Sequence, residues 1–421
     1  MLDIKFIREN SDLIKDAARK KHINFEVDAL IKKDDERRTL LTEVEAQRKE
    51  QNDATAKISG GADASVREAL IAQMKTLKEE LQKKEEKLKE ITKEWQLLMV
   101  QVPNIPDMSV PEGVSDAENQ EVRTWGEKTS FAFTPKNHIE IMESLDMLDT
   151  ERGAKVAGFR GYFLKNAGAE LYMAVTQFVW SHFIKKGFSP MVVPSLLRRE
   201  PFIGTGYLPQ SEEDLYKTQD GEYLAGTAEV GTMGYYMDEV LDRTKLPLKF
   251  ISISQCFRRE AGSHGKDTKG IMRVHEFTKV EQVVLCEADH QMSVKFHEEL
   301  TGNAEEVLQA LGVPYRVVVN CGGDLGLGQV KKYDIESWVP SEKTYRETHS
   351  ASYFHDFQTR RLNIRYKDTD GKLKFVHSLN NTAVAVPRIL ISIIENNQKE
   401  DGSIAVPPVL IPFLGRDTIS S

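Results

Sequence analysis

Residues 28–100 contain no proline, and their apolar side chains recur at helical spacing. In the second half of this stretch the intervals are three, four or seven residues, and the first half repeats the pattern more weakly. The glycine-bearing segment Ser59–Ser65 separates the two halves and breaks the helix. This spacing predicts two long antiparallel helices that form a coiled-coil hairpin. The predicted seam consists of Leu40, Val44, Gln51, Ala54 and Ile58 on the first helix and Leu70, Met74, Leu77, Leu81, Leu88, Ile91, Trp95 and Leu98 on the second.

The composition and the apolar pattern of the sequence change beyond this hairpin. Val102–Gly113 is rich in proline, which ends helices and makes a linker. From about Arg123 onward, alternating apolar runs such as KFISISQCF, RVVVNC, RLNIRY and KFVHSL mix with helical stretches at 169–186 and 386–397. The mixture predicts an α+β domain built on an antiparallel sheet. We therefore expect a helical hairpin at 1–101, a linker at 102–122 and the α+β domain at 123–421.

The charge of the chain limits the partners that it can bind. The formal net charge is -8, and residues 1–100 carry 21 basic and 21 acidic side chains, so all of the net negative charge lies in the remainder. This balance argues against a protein that binds nucleic acid with its whole surface, although a local basic face is compatible with it.

Cysteine usage and hydropathy indicate the compartment. The three cysteines are scattered and form no CxxC pair, so neither a disulfide framework nor a zinc site is indicated. No apolar run approaches 18 residues, and the opening MLDIKFIREN lacks the apolar core of a signal peptide. We expect a cytoplasmic protein that does not cross a membrane and needs no zinc.

The segment Phe257–Glu281 concentrates basic residues and turn formers between two alternating runs. SISQCF at its start and MRVHEFTKVEQVVL at its end have the spacing of strands, and the intervening AGSHGKDTKG is typical of a turn. We predict two antiparallel strands joined by a long basic loop that holds an anion. The alternative is a surface hairpin whose basic side chains are solvated. Neither a P-loop nor a Rossmann glycine motif is indicated anywhere in the chain.

Six blocks in a fixed order resemble the seryl-tRNA synthetases of bacterial type, which are class II aminoacyl-tRNA synthetases. The blocks are MLDIKFIREN, RTWGEK, TAE, FRREAGSHGKDTKGIMRVHEFTKVE, YRETHSASYFHDFQTRRLNIRY and HSLNNTAVAVPRILISIIENNQKEDGSIAVP. The likeness covers nearly the whole chain. It implies a class II antiparallel sheet flanked by helices, which makes 123–421 the catalytic domain. It also implies a serine–tRNA ligase that activates L-serine with ATP to seryl-adenylate and transfers it to the 3′ end of tRNA(Ser), and of tRNA(Sec) where the organism has one.

The resemblance assigns the catalytic roles to Arg258, Glu281 and Arg388. Arg258 would bridge the serine carboxylate and the α-phosphate, because a guanidinium presents a planar fork to two anions. Glu347 and Ser350 would hold Mg²⁺, which favours a few hard oxygen ligands and keeps substrate phosphate and water as the others. The implied ATP site consists of Arg258, Glu260 at the adenine amino group, Arg273 at the γ-phosphate, Val274, Phe277 stacked on the base opposite Arg388, Glu347, Ser350 and Arg388.

The implied serine site consists of Thr227, Glu229, Arg258, Glu281, Asn380 and Thr382. We expect Thr227 and Glu229 to share one face of an extended segment, since alternate residues of such a segment point the same way. Glu281 stands in the apolar context VEQVVL, where the alternative is a core carboxylate paired with a local lysine.

The chain departs from the family pattern at several positions. Gly226 replaces a common proline before TAE, and Thr382 replaces a common serine but keeps the hydroxyl. Thr348, His349, Ala351 and Tyr353 differ from the usual run after the magnesium glutamate, and His349 is expected to be structural because neither half-reaction needs a metal-binding imidazole.

The resemblance also implies macromolecular partners. Pro194 matches the proline of an interface motif, so a homodimer is expected. The hairpin would lie across the elbow and the long variable arm of the tRNA, with Lys49, Lys57, Lys75 and Lys78 as candidate contacts. Two alternatives remain open: a paralogue that loads a carrier protein, which would lack the hairpin, and a non-catalytic regulatory paralogue, which would be expected to lose one of the catalytic residues.

Overall fold

The computed structural model describes residues 2–60, 63–262, 265 and 267–421. The helices are α1 (Ile4–Glu9), α2 (Ser11–Lys20), α3 (Val27–Ser59), α4 (Ala64–Met99), α5 (His138–Ser144), α6 (Thr150–Ala157), α7 (Ala167–Lys185), α8 (Arg199–Thr205), α9 (Ala228–Gly234), α10 (His290–Ala310), α11 (Phe357–Leu362), α12 (Val386–Asn396) and α13 (Ile411–Leu414). The strands are β1 (Gln120–Trp125), β2 (Leu148–Asp149), β3 (Phe163–Leu164), β4 (Ser189–Val192), β5 (Leu196–Leu197), β6 (Tyr223–Leu224), β7 (Val240–Leu241), β8 (Leu248–Phe257), β9 (Glu276–Cys286), β10 (Tyr315–Val319), β11 (Lys331–Val339), β12 (Thr344–His355), β13 (Arg365–Lys367), β14 (Leu373–Phe375), β15 (His377–Ala385), β16 (Ile404–Ala405) and β17 (Thr418–Ile419).

The chain divides into two compact units. The arm unit comprises Leu2–Arg19 and Ile23–Pro103, and the sheet unit comprises Lys20–His22 and Asn104–Ser421. Among the described residues, no helix is both long and apolar enough to cross a membrane.

The arm unit contains the predicted helical hairpin. α3 and α4 pair along their length, and the cross-helix ion pairs Lys33–Glu94 and Glu43–Lys84 show that they run antiparallel. The predicted seam is confirmed, because its members are buried or half-buried while the residues between them are mostly exposed. The breaker is confirmed at its ends, where α3 stops at Ser59 and α4 starts at Ala64; its central Gly61 and Ala62 lie outside the described residues.

The sheet unit is built on eight strands in the order β1-β10-β11-β12-β15-β9-β8-β4. Every neighbouring pair is antiparallel except β4 with β8, so the predicted antiparallel α+β fold is confirmed. On β9, Val280 and Val284 face a core shared with α7, α10 and α12. Successive residues of a strand point to opposite faces, so Lys279 and Glu281 project from the other face, where the polar residues gather.

Three sequence expectations about elements are corrected. RLNIRY is not one strand, because α11 ends at Leu362 and Asn363 reverses the chain with φ +56° before β13 starts. The second strand of the basic hairpin begins at Glu276 and not at Met272; the apolar alternation before it reflects the burial of Met272 and Val274. The run KFVHSL is divided between β14 and β15. In addition, β1 begins at Gln120, three residues before the expected start of the α+β domain.

Candidate active site

Arg258 directly follows β8 and stands at the centre of the polar face. Its backbone N–H donates to the carbonyl of His275 at 2.9 Å, which closes the ladder between β8 and the segment leading into β9. Its Nε and Nη2 donate to the carbonyl of Gly226 at 3.3 and 3.2 Å. The guanidinium carbon lies 5.5 Å from the ring centre of Phe277, within the range of a cation–π contact. The guanidinium is therefore positioned by two separate segments, with donors left for an anion.

A buried ion pair lies on β9 beside this arginine. Lys279 Nζ lies 2.5 Å from Glu281 Oε2 and donates to Thr227 Oγ1 at 3.2 Å. The Thr227 hydroxyl also lies 3.4 Å from Glu281 Oε2. Burial raises the pKa of Glu281, and the positive charge of Lys279 opposes that shift. The alternative of a carboxylate with a local lysine partner is thus realised in the structure, at the edge of the predicted serine site.

Thr227 and Glu229 are close together, but not in the expected way. Thr227 is extended, and its hydroxyl caps α9 by accepting from the backbone N–H of Glu229 at 3.3 Å. The prediction of one extended segment is wrong at Glu229, because a threonine before a helix satisfies a free N–H of the first turn. The Glu229 carboxylate accepts from Gln358 Nε2 at 2.7 Å and from the Tyr207 hydroxyl at 3.3 Å. Burial raises its pKa to about 7.

β15 supplies the other two predicted serine residues. Thr382 pairs with Glu281 across the β15–β9 ladder, and Asn380 pairs with Val283. Asn380 also hydrogen-bonds to Glu229. Both β15 side chains are buried. The structure therefore brings Thr227, Glu229, Glu281, Asn380 and Thr382 into one buried polar cluster, which is the predicted serine pocket.

The predicted adenine and phosphate residues converge on a neighbouring cavity. The cavity is small, about 20 Å³, and Ala385 and Pro387 form part of its wall. Six of the eight residues expected at ATP line it, and these are Arg258, Glu260, Arg273, Val274, Phe277 and Arg388.

Glu347 and Ser350 share one face of β12 because the strand is irregular between them. Residues three apart on a regular strand point to opposite faces. Here Ser350 pairs with Asp334, and Glu347 pairs with Glu336, so three steps on β12 match two on β11. The extra residue, Thr348, is accommodated in a β-bulge, and its hydroxyl donates to the carbonyl of Ile335.

The charges around Glu347 keep it ionised. Loss of solvent opposes ionisation, but Arg388 and Lys332 lower the pKa of the carboxyl overall. Arg388 Nη1 lies 3.4 Å from the carboxylate and donates to the Glu347 carbonyl at 3.2 Å. Burial raises the pKa of the neighbouring Asp334 to about 6, although Lys332 lies 3.2 Å away.

Comparison with known proteins bears on both units. Residues 1–106 match the model of the seryl-tRNA synthetase N-terminal domain, and residues 215–397 match that of the class II tRNA synthetase core domain (G, H, P, S and T). A serine–tRNA ligase from Deinococcus radiodurans is 47% identical over 99% of this chain and 98% of its own. The chain belongs to the seryl-tRNA synthetase family.

Other relatives agree with this membership. A serine–tRNA ligase from Thermodesulfovibrio yellowstonii is 43% identical over the full length of both chains. The crystal structure of seryl-tRNA synthetase from Pyrococcus horikoshii, complexed with ATP, superposes with a TM-score of 0.90 at 38% identity, covering 100% of this chain and 99% of that one. Membership makes the protein a class II aminoacyl-tRNA synthetase that charges tRNA with serine; the carrier-loading and regulatory alternatives receive no support.

Several residues of this seryl-tRNA synthetase site were missed in the sequence. Lys279 lies two residues before Glu281, and period-2 spacing alone could have placed it on the same face. Tyr207 and Gln358 reach Glu229 from 22 and 129 residues away, so only the fold brings them together. Asp267 and Arg346 extend the arginine network of Arg273, as described below.

His349 is a departure from the family pattern that is not among the predicted serine-site residues. Its ring is buried, Nδ1 lies 2.9 Å from the Thr348 hydroxyl, and burial lowers its pKa to about 4. These features fit the structural role expected for it.

The four candidate tRNA contacts are exposed lysines of the arm unit. Lys49 and Lys57 lie on α3, and Lys75 and Lys78 lie on α4. Within the described part of the arm, none of the four forms an ion pair, in contrast to Lys33 and Lys84. Their charges are therefore available to an anionic partner.

Proposed function

We propose that the enzyme performs both steps of serine transfer with the residues of this polar face. In the first step an oxygen of the serine carboxylate attacks the α-phosphorus of ATP, and the bond to the β-phosphate oxygen breaks, which releases pyrophosphate. In the second step the 3′-hydroxyl of the terminal adenosine attacks the carbonyl of seryl-adenylate and AMP leaves. The observation that carries this proposal is the position of Arg258, which lies beside Glu281 of the predicted serine pocket and also lines the nucleotide cavity.

Arg258 acts by bringing two anions together. Its guanidinium, aligned by Gly226 and Phe277, bridges the attacking carboxylate and the α-phosphate and stabilises the charge that develops between them. Catalysis is positioning and charge stabilisation, and the reaction needs no covalent intermediate on the protein.

The serine pocket binds the polar groups of the substrate. Glu229 and Glu281 receive the ammonium group, and Thr227, Asn380 and Thr382 surround the hydroxyl. All five side chains are buried, so a group that leaves one of them without a hydrogen-bond partner is disfavoured.

The nucleotide lies between Phe277 and Arg388. The base stacks between these two side chains, Glu260 accepts from the adenine amino group, and Arg273 contacts the terminal phosphate. Val274 lines the same cavity.

Glu347 and Ser350 fit a magnesium ion that is bound together with ATP. They offer one carboxylate and one hydroxyl on a common face, which suits an ion that retains water and phosphate as its other ligands. Among the described residues, no group of three or more His, Cys, Asp or Glu side chains is arranged to hold a metal alone. When bound, Mg²⁺ would neutralise phosphate charge during the displacement.

The arm unit binds tRNA(Ser), and tRNA(Sec) where it exists, through backbone shape and charge more than through base sequence. Its four exposed lysines, Lys49, Lys57, Lys75 and Lys78, support a local basic contact. ATP and tRNA as substrates fit a cytoplasmic location.

The active enzyme is a homodimer. Phe159, Phe163 and Met173 are 59%, 45% and 63% exposed and line an open cavity of about 580 Å³. An apolar surface of this kind marks an interaction site more often than free surface. The edge strand β4, which precedes Pro194, exposes 83% of Val192 and supports the same interpretation. Sedimentation equilibrium of the wild type and of Met173→Glu tests the proposal: a wild-type monomer would contradict it.

One assay sequence tests the proposed reaction. Serine-dependent exchange between ATP and pyrophosphate reports the first step, and charging of tRNA(Ser) reports the second. Exchange that depends on another amino acid, or exchange without charging of tRNA, would overturn the assignment.

A further inference from the structure

Asp267 bridges Arg273 of the nucleotide site and Arg346 of β12 with its two carboxylate oxygens. Oδ2 accepts from Arg273 Nε at 2.9 Å, and Oδ1 accepts from Arg346 Nη2 at 2.7 Å. The three side chains are 18%, 30% and 25% exposed, so the bridge is partly shielded from solvent. Arginine binds carboxylate and phosphate oxygens with the same fork geometry. The Asp267 carboxylate therefore occupies these arginines as a phosphate would.

Each of the two arginines also has an outer carboxylate. Arg273 Nη1 lies 3.1 Å from Glu260, and Arg346 Nη1 lies 2.7 Å from Glu342. Although burial opposes its ionisation, donation from Arg346 and Arg273 keeps the pKa of Asp267 below its ordinary value, so it is an anion at neutral pH. Among the described residues, each arginine thus faces two carboxylates already. The terminal phosphate of ATP would join this arrangement against the repulsion of these carboxylates, so its binding favours the departure of one of them.

Asp267 is the carboxylate whose departure exposes both arginines. The carboxylate of Glu260 lies 3.9 Å from Arg160 as well as near Arg273, and the side chain of Arg160 is only 3% exposed. A second, buried arginine therefore holds Glu260 in place. Glu342 lies in the connection between β11 and β12, contacts Arg346 and forms no ion pair with Arg273 among the described residues. Asp267 alone, within the described part of the chain, is shared by the two guanidinium groups.

We propose that Asp267 is an internal counter-anion that the terminal phosphate of ATP displaces, and that it thereby sets how strongly the site distinguishes nucleoside triphosphate from nucleoside monophosphate. The inference rests on the contact proposed above between Arg273 and the terminal phosphate. AMP has no phosphate that reaches these arginines, so its binding leaves the bridge intact. After pyrophosphate is formed, the return of Asp267 to the arginines competes with pyrophosphate and favours its release.

The expected change in ATP affinity depends on the fraction of molecules in which Asp267 bridges the two arginines. A site that is closed about nine-tenths of the time binds its ligand about tenfold more weakly than an open one. Asp267→Asn keeps the shape and removes the charge, so the variant should bind ATP about three- to tenfold more tightly. AMP affinity should stay within about twofold, because the nucleoside monophosphate does not compete with the bridge. Both dissociation constants are measured by isothermal titration calorimetry on the full chain at fixed Mg²⁺.

Glu342→Gln is the matched control. It removes the negative charge beside Arg346 and leaves the Asp267 bridge intact. If ATP affinity depends on the contact that Asp267 makes with both arginines, and not on the total negative charge near them, ATP affinity should change by less than about twofold. Weaker or unchanged ATP binding in Asp267→Asn would show that Asp267 aligns the arginines and does not compete with phosphate. Equal tightening in Glu342→Gln, or equal tightening for AMP, would also overturn the inference.

A third variant separates this inference from the proposed nucleotide site. Arg273→Ala should weaken ATP binding and leave AMP binding nearly unchanged. If ATP affinity does not fall in Arg273→Ala, the assignment of Arg273 to the terminal phosphate fails. If it falls as expected while Asp267→Asn does not tighten binding, only the counter-anion role fails.

Discussion

The ammonium of Lys279 lies 2.5 Å from the carboxylate of Glu281, and both side chains are more than nine-tenths buried. In the sequence, a lysine partner and a substrate contact were alternative explanations of Glu281. The structure shows the lysine partner, and Thr227 contacts both members of the pair. Because the pair borders the predicted serine pocket, a structural partner and a substrate role are compatible at this carboxylate.

Lys279→Met should destabilise the protein and do so more at high pH. Removal of one member of a buried ion pair costs about 3 to 5 kcal/mol, because the other charge is left without compensation. Without Lys279 the folded-state pKa of Glu281 rises further above its unfolded value, so stability is lost as the pH rises through that interval. Thermal unfolding at pH 5.5 and pH 8 checks this expectation. An equal loss at both pH values would mean that Glu281 is not left charged.

Arg258→Ala should abolish serine activation without unfolding the chain. Loss of one preorganised charge in the transition state costs about 3 kcal/mol or more, which is roughly a hundredfold or greater decrease in the rate of pyrophosphate exchange. Arg259→Ala is the control, since Arg259 donates to the carbonyl of Glu213 outside the pocket. Exchange near the wild-type rate in Arg258→Ala contradicts its assigned role.

Thr382 variants test the choice between serine and threonine. An apolar pocket rejects one extra methyl by only about 10- to 200-fold, whereas fixed polar walls do better. Thr382→Ser should keep serine activation and accept threonine more readily, because the wall loses a methyl. Thr382→Ala should weaken serine binding through loss of the hydroxyl. The measurement is pyrophosphate exchange with both amino acids, and unchanged serine kinetics in Thr382→Ala would remove this residue from the pocket.

Serine binding should release a proton near neutral pH. Burial raises the pKa of Glu229 to about 7, so the carboxyl is largely protonated at pH 6. The serine ammonium favours the ionised form, and serine affinity should therefore rise between pH 6 and pH 8. The same shift means that the unliganded fold loses stability as the pH rises from 4.5, the ordinary value, to about 7.

Calorimetry in buffers of different ionisation enthalpy measures the released proton. Glu229→Gln should release none, and wild type at pH 8.5, where the carboxyl is already ionised, should release little. Proton release that persists unchanged in Glu229→Gln would assign the titration to another group.

Deletion of Leu40–Leu88 with a short bridge should separate the two steps. The catalytic residues lie in the sheet unit, so serine-dependent pyrophosphate exchange should remain within a few-fold of wild type. Charging of tRNA(Ser) should be lost, because the proposed basic contacts on α3 and α4 are removed. Charging at comparable efficiency by the shortened enzyme would give the arm another role.

The sequence predicted those features that depend on local periodicity. The seam from Leu40 to Leu98 follows from helical spacing, because residues three and four apart share a helix face. The strands β8 and β10 follow from alternation for the analogous reason. The likeness to a known family supplied the positions of Arg258, Glu281 and Arg388, which no periodicity could have given.

The features that could not be predicted from the sequence depend on contacts between distant segments. Tyr207, Gln358 and Asn380 meet Glu229 only after α9 packs on the sheet, and the capping of α9 by Thr227 replaced the expected extended segment. The Asp267 bridge joins the basic loop to β12 and has no signal in either segment alone.

The bulge at Thr348 accommodates one residue of β12 that has no partner on β11, and this irregularity sets the face on which Glu347 lies. Any substitution at this position leaves Glu347 and Ser350 three residues apart and on a common face. Deletion of Thr348 would restore a regular ladder in which Glu347 and Ser350 are two residues apart and still share a face, because alternate residues of a strand point the same way. A change of register that flattened the bulge without removing a residue would instead leave Glu347 and Ser350 three residues apart on a regular strand, and would turn Glu347 to the face opposite Ser350 while both ligands stay in the sequence.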